Sequence, residues 1–205
     1  MARPRSPILD QDRIAAAALA LVDKRGDFTM PELARQLGVQ PSSLYHHVEG
    51  RTGVIELIRV RVGQAVDTTA LDLPVWEEAL AAWARSYRSA FAAHPRAIPL
   101  LATETVRAVD AVTMYERALG LMERAGFTGH AGLTALNTLE NFILGSALDL
   151  AAPATMWDTV DSADTPRLST ALAAAPESGD RADQAFELGL TGLIAYFKHL
   201  APTHP

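Results

Sequence analysis

Apolar residues near the start of the chain recur at intervals of three and four positions, the spacing that places side chains on one face of an α-helix. The first such face comprises Ile14, Ala17, Ala18, Leu21 and Val22. Asp10 stands where a side chain caps the first free backbone amides, and Gly26 stands where a helix commonly ends. The pattern therefore predicts a first helix between these two residues.

Two shorter helices are predicted next. Positions 29–32, TMPE, have the form of a capping box, in which the threonine and glutamate side chains each accept a hydrogen bond from the other's backbone amide. The helix that this box opens ends after Leu37 at Gly38. Pro41 suits the first turn of a third helix, predicted to run through His47. Two short helices joined by a glycine-containing turn form a helix-turn-helix.

The remaining pattern predicts further helices and no strands, since no run of alternating β-branched residues lies between turn signals. A fourth helix starts near Arg51 and extends to about residue 69, and positions 71–74, LDLP, mark its end and a domain boundary. Further helices are predicted over 75–94, 97–104, 108–125, 130–151, 166–174 and 182–200. The stretch 152–165, rich in proline, aspartate and threonine, is predicted to be a mobile loop.

Composition excludes several classes of protein. The 205 residues include no cysteine, which excludes disulfides, cysteine-ligated zinc, iron–sulfur clusters and thiol catalysis. The N-terminal segment MARPRSP lacks the apolar core of a signal peptide, and no uncharged apolar run reaches the roughly 18 residues that a membrane span needs. We therefore expect a soluble, cytoplasmic protein.

Charge is distributed unevenly along the chain. Residues 1–65 hold nine Lys and Arg against seven Asp and Glu, a net charge of +2, whereas residues 66–205 hold nine against seventeen, a net charge of −8. A positive end on an acidic body is the asymmetry expected when one end of a protein meets phosphate. This difference in net charge is modest, and by itself it adds little to the case for binding of nucleic acid.

The third helix carries the side chains that a DNA recognition helix needs. Short polar groups, with aromatic or basic ones, reach base edges and phosphates in the major groove. The predicted reading surface comprises Gln40, Ser42, Ser43, Tyr45, His46 and His47. Leu44 and Val48, four positions apart, point inward with Leu33 and Leu37. From this segment alone, an ordinary polar helix on a domain surface remains an alternative.

The apolar frame around this helix resembles that of the tetracycline repressor (TetR) family. The matching residues of its DNA-binding domain are Ile14, Ala17, Leu21, Gly26, Thr29, Leu33, Ala34, Leu37, Gly38, Val39, Leu44, Tyr45, His47, Val48, Val54 and Ile55. The resemblance continues into the C-terminal domain of the tetracycline repressor at Trp76, 87–88 (YR), 125–127 (AGF), 141–148 (NFILGSAL) and 186–193 (FELGLTGL).

The resemblance implies an all-α fold in two domains. Residues 1–9 are expected to be a flexible basic arm, residues 10–70 a three-helix helix-turn-helix DNA-binding domain, and residues 74–202 a helical ligand-binding and dimerisation domain. Arg3 and Arg5 of the arm either enter the minor groove or belong to a disordered tail.

The resemblance also implies which side chains contact DNA. The family places base or phosphate contacts at Thr29, Ser42, Ser43, Tyr45, His46, His47 and Arg51. Tyr45 and Arg51 are expected to hold phosphate, whereas Ser42, Ser43 and His46 face bases. Pro31 and Pro41 replace an arginine and a glutamine that read bases in the tetracycline repressor, so a different operator is expected.

A ligand pocket is implied in the C-terminal domain. Its predicted lining is Trp83, Tyr87, Leu101, Thr103, Met114, Leu133, Leu136, Asn137, Glu140 and Asn141. For Trp83, Tyr87 and Met114 the alternative is core packing, and for the two asparagines and Glu140 it is contact with solvent or a partner subunit. Such a lining suits a mainly apolar ligand with some hydrogen-bonding groups.

No metal and no cofactor is expected. The histidines that accompany magnesium-tetracycline in the tetracycline repressor are missing at positions 99–104 and at Asp67. Asp149 matches an acidic position near that metal, but a single carboxylate is not a metal site. The expected effector is therefore a small molecule other than magnesium-tetracycline.

The expected assembly is a homodimer through the eighth and last helices. Glycine and alanine at Gly145, Ala147, Gly189 and Gly192 are expected to permit close helix approach in a four-helix bundle. A symmetric dimer reads a palindrome, so the expected function is a repressor released from its double-stranded DNA operator by an effector.

Two other functions compete with that of a repressor. An enzyme is disfavoured because His94, His130, His199 and His204 lack metal-ligand spacing, and the sequence contains neither a nucleophile elbow nor a glycine-rich phosphate loop. A small-molecule sensor or carrier without DNA binding is the alternative, against which the polar reading surface argues.

Overall fold

The structure is a computed structural model that describes residues 9–153, 156–157, 164–174 and 180–201, and these residues form helices, turns and loops without a strand. The predicted all-α fold class is thereby confirmed. The predicted arm, apart from Leu9, and most of the predicted loop at 152–165 lie outside the described residues.

The N-terminal helices begin and end at the residues that their caps predict. Helix α1 spans Gln11–Arg25, and the Asp10 carboxylate accepts a hydrogen bond from the Arg13 amide at 2.8 Å. Helix α2 spans Met30–Leu37, and both halves of its capping box are present. Gly26 and Gly38, which follow the two helices, have φ of 81° and 69°, a region in which glycine alone is unstrained.

Helix α3 spans Pro41–Leu44 and is shorter than predicted. The chain continues through hydrogen-bonded turns, in which the amides of His47 and Val48 both donate to the Leu44 carbonyl, at 2.9 and 3.1 Å. Because the last turn tightens in this way, the segment up to His47 stays compact without being a continuous α-helix. The reading surface therefore lies on a helix and the turn that follows it.

Helix α4 spans Gly50–Gly63 and ends earlier than the predicted residue 69. A 3₁₀ turn follows at Thr68–Asp72, where the Asp67 carboxylate accepts hydrogen bonds from the amide and hydroxyl of Thr69. An aspartate that bonds backbone two residues ahead favours a turn over continued helix.

The C-terminal part is built around helix α5. The helices are α5 (Trp76–Ala92), α6 (Ile98–Ala102), α7 (Val109–Arg124), α8 (Gly129–Asp149), α9 (Pro166–Ala173) and α10 (Arg181–Leu200), with a 3₁₀ turn at Pro95–Ala97. Helix α5 packs against α4, α7, α8 and α10. Each of these helices begins and ends within two residues of its predicted span.

One hydrophobic core runs through both predicted domains. Buried side chains extend without interruption from Ile14 in α1 to Phe197 in α10. Polar contacts also join the two parts: His94 Nδ1 lies 2.9 Å from the Asp23 carboxylate, and Arg96 donates to the Lys24 carbonyl. The end of α1 is therefore fixed to the corner between α5 and α6.

Helix length bears on membrane association. Among the described residues, none of the helices combines the length and the apolar character needed to cross a lipid bilayer.

The two glycines of α10 have different surroundings within the protomer. A Cβ added at Gly189 would lie 2.5 Å from the Phe142 ring of α8, whereas one added at Gly192 meets no atom within 4 Å in the protomer. Gly189→Ala is expected to lower the free energy of unfolding by about 1–3 kcal/mol through overpacking. Chemical denaturation should show a much smaller effect for Gly120→Ala of α7, where an added Cβ also meets no atom within 4 Å, and equal losses would contradict this assignment.

Candidate DNA-reading surface and effector cavity

The predicted reading surface is accessible. Gln40, Ser42, Tyr45 and His46 are exposed, and Ser43 and His47 are partly exposed. Tyr45 is 58% exposed in the protomer. Such exposure is unusual for a large aromatic side chain. This surface consists of hydrogen-bonding groups around one projecting ring.

An apolar frame holds the reading surface in place. Leu44 is fully buried, Val48 is 8% exposed, and both belong to the same core as Leu33, as predicted. The Gln11 side-chain amide donates to the His47 carbonyl at 3.2 Å, which joins the start of α1 to the end of the surface. Gln40 and its neighbours therefore project from a supported scaffold.

Thr29 and Arg51 also make contacts within the head. The Thr29 side chain is exposed, but its hydroxyl donates to Glu32 at 2.9 Å in the capping box. Arg51 donates to the Phe28 carbonyl at 2.5 Å and to Asp27 at 2.7 Å, and its guanidinium lies 4.6 Å from the centre of the Phe28 ring. The structure thus gives Arg51 an internal role, tying α4 to the α1–α2 loop, while its phosphate contact stays a prediction.

A cavity of about 330 Å³ lies between α4, α5 and α7. Tyr87 and Met114, which belong to the predicted lining of the effector pocket, both line this cavity. Further lining residues, which the sequence prediction missed, include Arg59, Gln64, Val66, Phe91, Asp110, Tyr115 and Arg117. The cavity therefore combines aromatic walls with charged and amide groups.

Two tyrosines and one glutamate form a hydrogen-bonded cluster at the cavity wall. The hydroxyls of Tyr87 and Tyr115 both donate to Oε1 of Glu140, the former at 2.8 Å. Burial, together with this carboxylate, raises the pKa of each tyrosine well above its usual value, so both hydroxyls keep their protons. Glu140 reaches the predicted pocket through these tyrosines and is not itself part of the lining.

The other predicted pocket residues lie elsewhere. Trp83, Leu101 and Leu136 are at most 2% exposed and belong to the hydrophobic core, so core packing describes them. Thr103 is exposed, and its hydroxyl donates to the Pro99 carbonyl of α6. The remaining three are exposed on α8 and do not line the described cavity: Leu133, Asn137 and Asn141.

The polar residues predicted on α8 lie on different sides of that helix. Glu140 lies on the buried side of the helix, whereas Asn137 and Asn141, three positions before it and one after, are exposed. The α8 pattern supplied three polar residues without showing which of them faced inward. The sequence prediction missed Tyr115. Its aromatic side chain, next to the predicted Met114, was the one feature of the sequence that could have indicated it.

Asp149 is already engaged by a cation. Its two carboxylate oxygens accept hydrogen bonds from Arg181 at 2.8 and 2.9 Å. Within the part of the chain that the structure describes, no group of three or more His, Asp or Glu side chains is placed to hold a metal.

A buried ion pair joins α4 to the loop between α6 and α7. Arg59 donates to Glu56 at 3.0 Å and to the carbonyls of Leu101 and Glu104 at 3.1 Å. The Glu56 carboxylate in turn accepts from the amides of Arg107 and Ala108 at 2.8 and 2.6 Å. Arg59 also lines the cavity, and α4 is the helix that follows the reading surface. The pair therefore ties the part of α4 that lines the cavity to the loop between α6 and α7.

Replacing Glu56 by glutamine tests this connection. Burial raises the Glu56 pKa, but the Arg107 amide, Arg59 and the Ala108 amide outweigh burial and hold it below its usual 4.5. Because the folded pKa is depressed, the carboxylate stabilises the fold above pH 4.5, and this contribution is lost as the pH falls through the lower folded value. Glu56→Gln is expected to cost about 1–3 kcal/mol at neutral pH, because an amide cannot satisfy the same donors.

The measurement is urea denaturation of both proteins at a series of pH values. The difference between wild type and Glu56→Gln should be largest at neutral pH and shrink in acid. A difference independent of pH would contradict the role given to the ionised carboxylate.

Comparisons with known proteins agree with this geometry. A model described as the tetracyclin repressor-like C-terminal domain matches residues 72–199. An HTH-type transcriptional regulator of Saccharopolyspora erythraea is 29% identical over 161 residues, which are 78% of this chain but only 66% of that protein. The class D tetracycline repressor of Escherichia coli is 26% identical over 198 residues, covering 93% of this chain and 89% of the repressor.

A solved structure shows the same architecture. ActR of Streptomyces coelicolor, in complex with actinorhodin, is similar with a TM-score of 0.77 and 25% identity, covering 96% of this chain and 99% of ActR. The resemblance inferred from the sequence is thereby confirmed. The chain belongs to the tetracycline repressor family of helix-turn-helix transcriptional regulators.

Proposed function

We propose that this protein is a dimeric, cytoplasmic repressor that binds a palindromic DNA operator and leaves it when a small molecule occupies the cavity between α4, α5 and α7. Regulators of this family are not enzymes, which agrees with the function expected from the sequence. The observation that carries the proposal is the exposed polar surface around Tyr45, held on a buried frame.

The reading surface supports DNA binding. Ser42, Ser43 and His46 offer hydrogen-bonding groups for base edges, and Tyr45 offers a hydroxyl for phosphate. Gln40 and His47 flank these residues at the two ends of the surface. Because Pro31 and Pro41 are also exposed here and lack side-chain donors, the operator differs from that of the tetracycline repressor.

Exposed apolar and small residues on α8 and α10 support a homodimer. Leu133 and Leu148 of α8 are 45% and 40% exposed, and Leu188 and Tyr196 of α10 are 78% and 56% exposed. Two adjoining helices that expose such side chains gain stability when a second copy covers them. Asn137 and Asn141 lie on the same exposed side of α8, which suits the alternative that they face a partner subunit.

The position of α4 supports release by a ligand. The helix begins directly after the reading surface, and Arg51 in its first turn is bonded to the α1–α2 loop. Farther along α4, Arg59, Val60 and Gly63 line the cavity. A ligand that displaces this wall therefore moves the head, and in a dimer it changes the spacing between two heads.

Relatives offer a precedent for this cycle. ActR has been crystallised in complex with actinorhodin and with (S)-DNPA. The E. coli relative is a tetracycline repressor. For the present chain we propose the same class of regulation with a different effector.

Selection of DNA from a random duplex library tests the proposed function. The full chain should enrich an inverted repeat whose half-sites are centred about one helical turn apart or slightly more. Enrichment of a single half-site would contradict the dimer. No enrichment at low salt would overturn the repressor and leave a sensor or carrier that does not bind DNA.

A further inference from the structure

The cations that line the cavity are already paired. Arg59 Nε donates to Glu56 at 3.0 Å, and Arg117 Nη2 donates to both oxygens of Asp72 at 3.0 and 2.9 Å. A guanidinium beside its own carboxylate has little net charge to offer a ligand. The two arginines therefore do not make the cavity selective for anions.

Two carboxylates at the cavity have no such cation. Asp110 lines the cavity, and none of the ion pairs between described residues includes Asp110 or Glu140. The hydrogen bonds that Glu140 receives come from Tyr87 and Tyr115, which are neutral donors. The uncompensated charge at this cavity is therefore negative.

The tyrosine hydroxyls present acceptors to the cavity. Each hydroxyl has one proton, and both protons are directed at Glu140 Oε1. The remaining lone pairs of the two oxygens accept hydrogen bonds. With the raised pKa of Tyr115 keeping its proton in place, this wall is matched by a group that donates hydrogen bonds and carries positive charge.

The apolar part of the cavity suits a flat ring system. Tyr87 and Phe91 lie in parallel with ring centres 4.7 Å apart and planes inclined by 4°, and both line the cavity with Val66 and Met114. A volume of about 330 Å³ falls at the lower end of the range for drug-sized ligands. The faces of aromatic rings also attract cations, as the carboxylates do.

We propose that the effector is a planar aromatic compound bearing a protonated amine, whose N–H groups donate to the hydroxyl oxygens of Tyr87 and Tyr115 close to Glu140 and Asp110. This inference rests on the proposed function, because it names the chemical class of ligand for the same cavity. Membership of the family does not specify the charge of the effector, whereas this inference makes it positive.

Three fluorescent probes with the same ring test the inference: aminomethyl-anthracene, anthracene-methanol and anthracene-carboxylate. Each is titrated into the full chain near neutral pH without DNA, and binding is followed by fluorescence anisotropy. The cationic amine is expected to bind at least about tenfold more tightly than the carboxylate, with the neutral alcohol between them. Tighter binding of the carboxylate, equal binding of all three, or no binding by any of them would overturn the inference.

Removing each carboxylate identifies its contribution. Asp110→Asn and Glu140→Gln are each expected to reduce the preference for the amine over the carboxylate probe by about threefold or more. Glu116→Gln is the matched control, because Glu116 is an exposed carboxylate of α7 outside the cavity lining. Asp110 is exposed, so Asp110→Asn remains informative if Glu140→Gln disturbs the fold. Equal changes in all three variants would show an effect of net charge alone and would overturn the inference.

Operator binding by the wild-type chain separates this inference from the proposed function. A chain that binds its selected palindrome but prefers the carboxylate probe keeps the repressor function and loses the cationic effector. A chain that binds the amine but selects no DNA loses the proposed function instead.

Discussion

Tyr45→Ala is expected to weaken binding to the selected operator by about 30-fold or more, the effect of losing roughly 2 kcal/mol at an interface hot spot. Tyr45 is the large aromatic of the reading surface, and its ring and hydroxyl project to solvent in the free protein. Because the side chain is exposed, its truncation should change the free energy of unfolding by no more than about 0.5 kcal/mol. Fluorescence anisotropy with labelled operator measures the loss.

The Tyr45→Phe variant separates the hydroxyl from the ring. If Tyr45 holds phosphate through its hydroxyl, Phe should lose a substantial part of the affinity, and to a similar extent on specific and scrambled DNA. Thermal unfolding and sedimentation should show that both variants remain folded and dimeric. Full operator affinity in Tyr45→Ala would show that the register assigned to the reading surface is wrong.

Leu188→Glu is expected to dissociate the dimer and to reduce operator affinity by about 10²–10⁴-fold. Leu188 is 78% exposed in the protomer, on the outer side of α10, so a charge there does not disturb the protomer's own core. In the dimer it would be buried without a partner. Two heads joined in one molecule bind a palindrome far more tightly than separate heads, and that advantage ends when they separate.

Val109→Glu is the matched control for the dimer. Val109 is also 78% exposed but begins α7, which is not one of the two helices proposed to form the subunit contact. Sedimentation should find Leu188→Glu monomeric and Val109→Glu dimeric at the same concentration. A dimer that survives Leu188→Glu with full operator affinity would place the subunit contact elsewhere.

Helix ends followed from local chemistry, which a sequence displays directly. Asp10, Thr29 and Glu32 cap neighbouring amides, and Gly26 and Gly38 adopt positive φ where the helices end, so adjacent residues decide these features. The end of the third helix did not follow in this way. Two amides that share the Leu44 carbonyl tighten that turn, and no residue type at positions 45–47 marks the change.

The exposure of the predicted reading surface followed from the spacing of the buried residues beside it. Leu44 and Val48 face the core at helical spacing, which leaves the polar residues between them on the outside. Arg51 shows the limit of this reasoning. Arg51 is bonded to Asp27, which lies 24 positions before it, and to Phe28, which lies 23 positions before it. The spacing of residues in the sequence did not reveal these contacts.

The cavity and the hydrogen-bonded cluster at its wall were harder to predict because helices that are far apart in the sequence build them. Tyr87, Tyr115 and Glu140 lie on α5, α7 and α8 and meet only after these helices pack. Arg59 resembles a solvated charge in the sequence, yet it is 8% exposed and bonded to the α6–α7 loop. Periodicity indicates which face of a helix is buried, but it does not show which buried faces leave space between them.

The most direct test of the central claim is a salt titration of binding to three labelled duplexes: the selected palindrome, one half-site and a scrambled sequence. We expect two protomers per palindrome, the tightest binding to that duplex at every salt concentration, and a logarithm of affinity that falls linearly with the logarithm of salt as phosphate contacts release counterions. Equal affinity for the palindrome and the scrambled duplex, or no binding to either at low salt, would contradict the assignment of this chain as an operator-binding repressor.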